Sequence, residues 1–327
     1  AEIIGSRPSA LAVSLYNHLI TEEVWAKQRA EFGYRDIRPA PLVHNFCGQP
    51  YVDCRASINS FIPADLSSDC ALRFTNVYLG LLKENPHLHD KLELEVVFTI
   101  WTPAFRQEAN KRFKNKNVSI KDINSLEKAL KKLTVGALTR LKHDTVTIDK
   151  LRERFQLLNN SELDPLSKVY FLIEDCREFG TLAFSHAARA GFVAITLMKS
   201  LVKIGGLSQD RLLEFQASIP TVATEFQDAL SKCEINLDFL IKKFGHLRPG
   251  TYDINQMAYW EEPDLYFKRN NNHFLNKEKN GSKFTFTKTE IQAFQSFLNE
   301  LSVDITVDEL VKYIKTAIQA REGTKFE

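Results

Sequence analysis

The stretch that most constrains this chain is "DPLSKVYFLIEDCREFGTLAFSHAARAGFVAITLMKSLVKIGG", residues 164–206. It reads as one long or kinked helix that stops at Gly205-Gly206. Phe171, Leu172, Phe179, Leu182, Phe184, Phe192 and Val193 make it strongly apolar. At about 100° per residue, Glu174, Glu178, His186 and Arg189 fall within roughly a third of its circumference. Charge on so apolar a helix must be paired or line a cavity, because burying it alone is expensive. Two readings stay open: an internal ion-pair network with a satisfied histidine, or a polar pocket.

The rest of the chain points the same way. With 44% hydrophobic residues in 327 and only 13 glycines, it can bury a large core but has few of the tight turns an all-β fold requires. The expectation is a mainly α chain with a small antiparallel β-sheet (α+β), 1–102 forming a helix-plus-sheet part and 103–327 a mostly helical one. Two short helices open it, with Ser6 and Thr21 as N-caps and Gly33 past the second.

In "PYVDCRASINSF" alternation places Val52, Cys54, Ala56 and Ile58 on one face of a hairpin strand. Tyr51, Asp53, Arg55, Ser57 and Asn59 fall on the other, after a Gly48-Gln49-Pro50 turn. "HDKLELEVVFTIW" alternates again, with Glu93 and Glu95 on its polar side. Together these predict a sheet of three or more strands.

A helix over about 65–84 separates the two strand patterns. Later helices are expected from Ser119, over about 208–243 as a pair, and from capping boxes at Thr287/Glu290 and Thr306/Glu309. The segment 246–283 fits no regular period.

Several function classes are disfavoured. With 43 basic and 41 acidic residues interspersed, there is no basic stripe for nucleic acid. Cys47, Cys54, Cys70, Cys176 and Cys233 form no CxxC and suit reduced thiols in a cytoplasmic protein. No uncharged apolar run approaches ~18 residues, so no membrane span is expected. Phosphate-cradling, dinucleotide, zincin and nucleophile-elbow motifs are lacking, and no metal site is expected. The chain opens on Ala1 directly into patterned sequence, which suggests a piece of a longer polypeptide.

Two further places could carry chemistry. The polar sheet face, with Arg55, Ser57, Asn59, Glu93 and Glu95, either faces water or is covered and holds a zwitterion between opposite charges. The loop "FGHLRPGTYDI", 244–254, gathers His246, Arg248, Tyr252 and Asp253 around Pro249-Gly250. Either it is a helix stop and a proline-fixed turn, or it binds an anion and moves a proton.

"AEIIGSRPSALAVSLYNHLITEEVWAKQRAEFGYRD", "VDCRASINSFIPADL", "NPHLHDKLELEVVFT" and, most specifically, "GHLRPGTYDI" resemble the middle domain of phosphoenolpyruvate-utilising phosphotransferases. These are relatives of phosphoenolpyruvate synthase and pyruvate phosphate dikinase, and the likeness is greatest to the L-glutamine kinase branch of capsule phosphoramidate biosynthesis. It covers nearly the whole chain.

The resemblance implies an acceptor-binding domain. An ATP-grasp domain, holding ATP and Mg, and a swivelling phosphohistidine domain would lie elsewhere in the same polypeptide, the phosphoryl group passing to the side-chain amide nitrogen of L-glutamine. Arg248 would then suit the phosphoryl oxygens and His246 or Asp253 the proton. Arg55 or Arg189 would suit the α-carboxylate, and Glu93, Glu95 or Glu178 the α-ammonium; Asn59, His186 and Tyr252 complete the candidate binding set. Another acceptor, such as pyruvate or a hydroxyl compound, or a non-catalytic binding or scaffold module, are the alternatives. This chain alone is expected to turn over no ATP.

Overall fold

The computed structural model describes residues 8–230, 236–248, 256–268 and 284–326. It is mainly α with a small antiparallel sheet, as the composition implies. The elements are α1 (Ala10–Tyr16), α2 (Val24–Phe32), β1 (Val43–Phe46), β2 (Gln49–Val52), α3 (Cys54–Asn59), α4 (Ser68–Glu84), α5 (Phe105–Arg112) and α6 (Ile120–Asn159). They continue with α7 (Pro165–Asp175), α8 (Leu182–Lys203), α9 (Gln209–Ala217), α10 (Val222–Leu230), α11 (Leu237–Phe244), α12 (Lys288–Leu301) and α13 (Val307–Phe326).

The apolar stretch is continuous helix over Pro165–Lys203, with a π-helical turn at Cys176–Thr181 joining α7 to α8. It ends where Gly205 enters the left-handed region at φ 76° and the Gly206 amide closes back on the Leu201 carbonyl at 2.9 Å. By length and hydropathy it could cross a membrane, but most of that window is buried inside the protein. It is the central core helix, packed between α2, α6 and α13.

The sheet is smaller than alternation predicts. Only β1 and β2 pair, in the register Val43↔Val52 to Phe46↔Gln49, and the turn falls at Cys47-Gly48, whose φ values are both positive. Pro50 lies within β2 opposite Asn45. After β2 the Asp53 side chain accepts a hydrogen bond from the Ala56 amide at 2.9 Å and caps a helix. Arg55, Ser57 and Asn59 therefore sit on α3, with Ser57 buried and Arg55 exposed, and form no strand face.

The second expected strand is also absent. Pro86–Lys91 forms a 3-10 turn and Leu92–Val96 a π-helical turn, so Glu93 and Glu95 are on helical backbone. The chain then runs through the core as an irregular segment from Val97 to Thr102, every residue buried. Its polar backbone groups are met by side chains instead of a neighbouring strand. The Phe98 amide reaches Tyr78 Oη (3.4 Å), the Thr99 carbonyl accepts from Tyr34 Oη (2.7 Å), and the Trp101 amide donates to Thr134 Oγ1 (2.8 Å).

Other boundaries shift for local reasons. Ser6 lies outside the described residues, and Ser9 caps α1. Thr21 is inside a π-helical turn, Asn17–Thr21, that runs almost directly into α2. Residues 208–243 hold three helices, because Pro220 separates α9 from α10. The boxes at Thr287/Glu290 and Thr306/Glu309 are formed reciprocally.

Most buried side chains form one core around α8. A satellite cluster of Leu230, Leu240, Phe244 and Phe267 holds α10 and α11.

At the start of α6, Ser119 and Asp122 make a capping box, and Asp122 also receives Arg73 at 2.6 Å. Arg73, then Ser119, hold the Asp122 carboxyl well below the usual range, against the upward push of burial. This native-state depression contributes stability that is present above the unfolded pKa, about 3.9, and is lost as pH falls through and below it. Asp122→Ala should therefore cost about 1–2 kcal/mol at neutral pH. In urea titrations the deficit should stay constant from pH 8 to 5 and shrink below about pH 4.

Candidate functional site

Where α2 ends, Gly33 adopts φ 108° and a Cβ there would stand 2.5 Å from Leu133 Cδ2, so the turn requires glycine. The next residue, Tyr34, is thereby directed into the core, 1% exposed. It stacks on Phe32 at 5.5 Å and meets Phe61 edge-on at 5.8 Å.

Around Tyr34 and Phe61 lies a charged part of the core. Arg189 of α8, 5% exposed, donates to Glu93 Oε2 at 2.6 Å. Its guanidinium carbon is 4.9 Å from the Phe61 ring centre and 5.8 Å from that of Tyr34. Arg29 of α2 lies 3.9 Å from the same Phe61 ring and donates to Ser60 Oγ at 2.5 Å. The site thus joins α2, the turn after α3, the π-helical turn carrying Glu93, and α8.

The electrostatics follow from burial. It pulls Arg29 down to about 10; Glu93 works against this and the neighbouring Arg189 adds to it. Burial also lowers Arg189, but Glu93 and then Tyr34 outweigh it and the net shift is upward. Tyr34 is pushed up to about 12, by burial first. The Glu93 side chain is 23% exposed, so this centre reaches the surface at that carboxylate.

Of the other charged groups of the long helix, Asp175 takes Arg154 of α6 and Lys203 takes Glu108 of α5, and three more pair with the π-helical turn Asn17–Thr21 and the start of α2. Glu174 meets His18 at 2.8 Å, Arg177 meets Glu23 at 2.8 Å and Glu178 meets Lys27 at 2.9 Å. His186, buried, bridges Glu31 through Nε2 (2.8 Å) and Arg140 through Nδ1 (3.2 Å). With Nδ1 accepting from Arg140, Nε2 carries the proton given to Glu31. Glu23, Lys27 and Glu31 are spaced by four, which puts them on one face of α2.

Of the predicted residues, the structure joins Glu93 to Arg189 directly. Arg55 is exposed and donates to Asn76 at 3.0 Å; Asn59 ends α3; Glu95 is exposed with Lys91 at 3.9 Å. His246 is exposed and Arg248 half-buried in the segment after α11, whose Leu247 packs on the satellite cluster, apart from the core that holds Arg189. Arg248 Nε is buried without a hydrogen-bond partner. Tyr252 and Asp253 lie outside the described residues, as do Pro249 and Gly250.

Arg29, Tyr34 and Phe61 escaped the sequence reading. A signal existed: Arg29 stands between Trp25 and Phe32 at helical spacing, a cation on an apolar stripe. Among the described residues no group of three or more His, Cys, Asp or Glu side chains is placed to hold a metal ion. The fold and this centre define a mainly helical protein with a buried arginine–carboxylate site. Compared with family models, curated proteins and solved structures, the chain has no match.

Removing the carboxylate should be costly where the cation is buried and cheap where it is exposed. Glu93→Ala, leaving Arg189 uncompensated, should lower stability by about 3–5 kcal/mol. Glu178→Ala should change it by less than about 1 kcal/mol. Parallel denaturant titrations of both variants check this.

Proposed function

We propose that this chain is the acceptor-binding part of an ATP-dependent phosphotransferase. In this reading a phosphoryl group arrives on a histidine of another domain and is passed to the side-chain amide nitrogen of L-glutamine. The observation that carries the proposal is the meeting of Glu93 and Arg189 at 2.6 Å beside Arg29. A centre offering both signs of charge against aromatic walls suits a small zwitterion. Glu93 belongs to a segment, "NPHLHDKLELEVVFT", on which the likeness to the phosphotransferases rests.

Transfer would form a nitrogen–phosphorus bond to the acceptor, break the one to the carrier histidine, and release one amide proton. An amide nitrogen is a weak nucleophile, so the acceptor must be held in line and the charge on the phosphoryl oxygens stabilised. In the proposal Arg248 would suit those oxygens and His246 or Asp253 the proton, although among the described residues the segment carrying His246 and Arg248 packs on the satellite cluster and not on the core that holds Arg189. The buried, unpartnered Nε of Arg248 supports an anionic ligand there. ATP and magnesium belong to an ATP-grasp domain outside this sequence, and the whole would act in the cytoplasm.

Titration calorimetry on the chain should show L-glutamine binding and L-glutamate binding poorly, because a second carboxylate would crowd charge beside the phosphoryl position. L-asparagine, one methylene short, should bind weakly and react ~10²-fold more slowly in the intact enzyme, the cost of misplacing the attacking atom by about 1 Å. Glutamate competing equally with glutamine, or pyruvate binding better, would remove glutamine from the proposal.

A further inference from the structure

The buried charges around Phe61 do not balance. Arg29 and Arg189 bring two guanidinium groups to one ring, and Glu93 supplies one carboxylate, already engaged by Arg189. Among the described residues Arg29 has no carboxylate within ion-pair distance; its one hydrogen bond runs to the neutral hydroxyl of Ser60, which in turn donates to the Ser57 carbonyl. A guanidinium carries five N–H donors in a fork matched to a carboxylate. On the other side Arg189 Nε is fully buried with no partner. Arg29 keeps part of its surface accessible and Glu93 lies at the rim, so solvent reaches this centre at those two side chains, while Arg189 Nε is enclosed.

We propose that Arg29 and Arg189 together form the receptor for the single carboxylate of a small-molecule ligand, seated against the ring of Phe61. One monoanion brings the buried charge to neutrality, and it meets the unused donors of Arg29 and the Nε of Arg189. Tyr34, held by the Thr99 carbonyl, and Phe61 form the apolar wall. The low Arg29 value agrees with a cation whose compensation comes from outside the chain. Glu93 fixes Arg189. The inference deepens the acceptor reading by naming the group recognised, and rests on it only in the choice of L-glutamine as the main probe.

The test compares wild type, Arg29→Met and Arg29→Lys by calorimetry with L-glutamine, with 4-aminobutanamide, which is glutamine without its carboxylate, and with pyruvate and inorganic phosphate. L-Glutamine should lose about 10- to 100-fold in affinity to Arg29→Met, and Arg29→Lys should recover part of it. 4-Aminobutanamide should bind wild type as weakly as glutamine binds the Met variant, and should not respond to the substitution. Thermal unfolding without ligand separates recognition from structure: Arg29→Met should melt at or above the wild-type temperature, because an uncompensated buried cation has been removed.

If pyruvate binds in an Arg29-dependent way and glutamine does not, the carboxylate receptor stands and the glutamine reading falls. Equal glutamine affinity in wild type and Arg29→Met overturns the receptor and leaves the acceptor reading intact. A lowered melting temperature in Arg29→Met together with full affinity in Arg29→Lys makes Arg29 structural and overturns it too. Phosphate binding tighter than any carboxylate, or no carboxylate binding at millimolar concentration, also defeats it.

Discussion

Arg189 sits near the middle of the most apolar helix in the chain, and a guanidinium there is tolerable only if an anion is brought to it. Much of the surrounding architecture serves that requirement. The segment after Pro86 coils through a 3-10 and a π-helical turn and delivers Glu93 to Arg189, then runs on as buried irregular chain to Trp101. The same segment presents the Thr99 carbonyl to Tyr34, which the Gly33 turn has directed inward from α2. The ion pair, the aromatic walls and the central helix are thus parts of one packing arrangement.

The polar residues of the long helix resolve into two kinds. Glu174, Arg177 and Glu178 pair with His18, Glu23 and Lys27 at partly exposed positions, where such bridges contribute little. Asp175, His186 and Arg189 are buried; Asp175 is paired with Arg154 but keeps Oδ2 unpartnered, and the other two differ from each other. His186 is held on both ring nitrogens, by Glu31 and Arg140, whereas Arg189 retains a donor with no partner beside a second, poorly compensated arginine. Chemistry of recognition is better placed at the second site, where charge and hydrogen-bonding capacity are unmet.

Some of the candidate site was legible and some was not. Arg189 stood out as a charge on an apolar helix, and that signal survives folding because it reflects a cost that any tertiary arrangement must meet; Glu93 was reached through a strand alternation that the helical backbone at Leu92–Val96 overrides. Arg55 and Asn59 were selected through a strand period that the Asp53 cap overrides: one side chain bonding to the Ala56 amide turns the chain into a helix and scatters the supposed face. Glu95 was read from genuine alternation, but the backbone there is helical and its side chain faces solvent. Arg29 was not among the residues singled out from the sequence, and only the position of Phe61 and Ser60, some thirty residues away, shows that it belongs to this centre.

Local chemistry in the sequence determined the helical class, the stop at Gly205-Gly206, the left-handed turn at Gly33, and the capping boxes at Thr287 and Thr306, because each depends on residues within a few positions of one another. Tertiary structure alone decided that 97–102 is buried irregular chain without a partner strand, since Tyr34, Tyr78 and Thr134 supply hydrogen bonds to it from distant segments. It alone decided, too, that Arg29 and Arg189 share one ring. Charge balance in a core is a property of which side chains meet, and no periodicity along the chain records that.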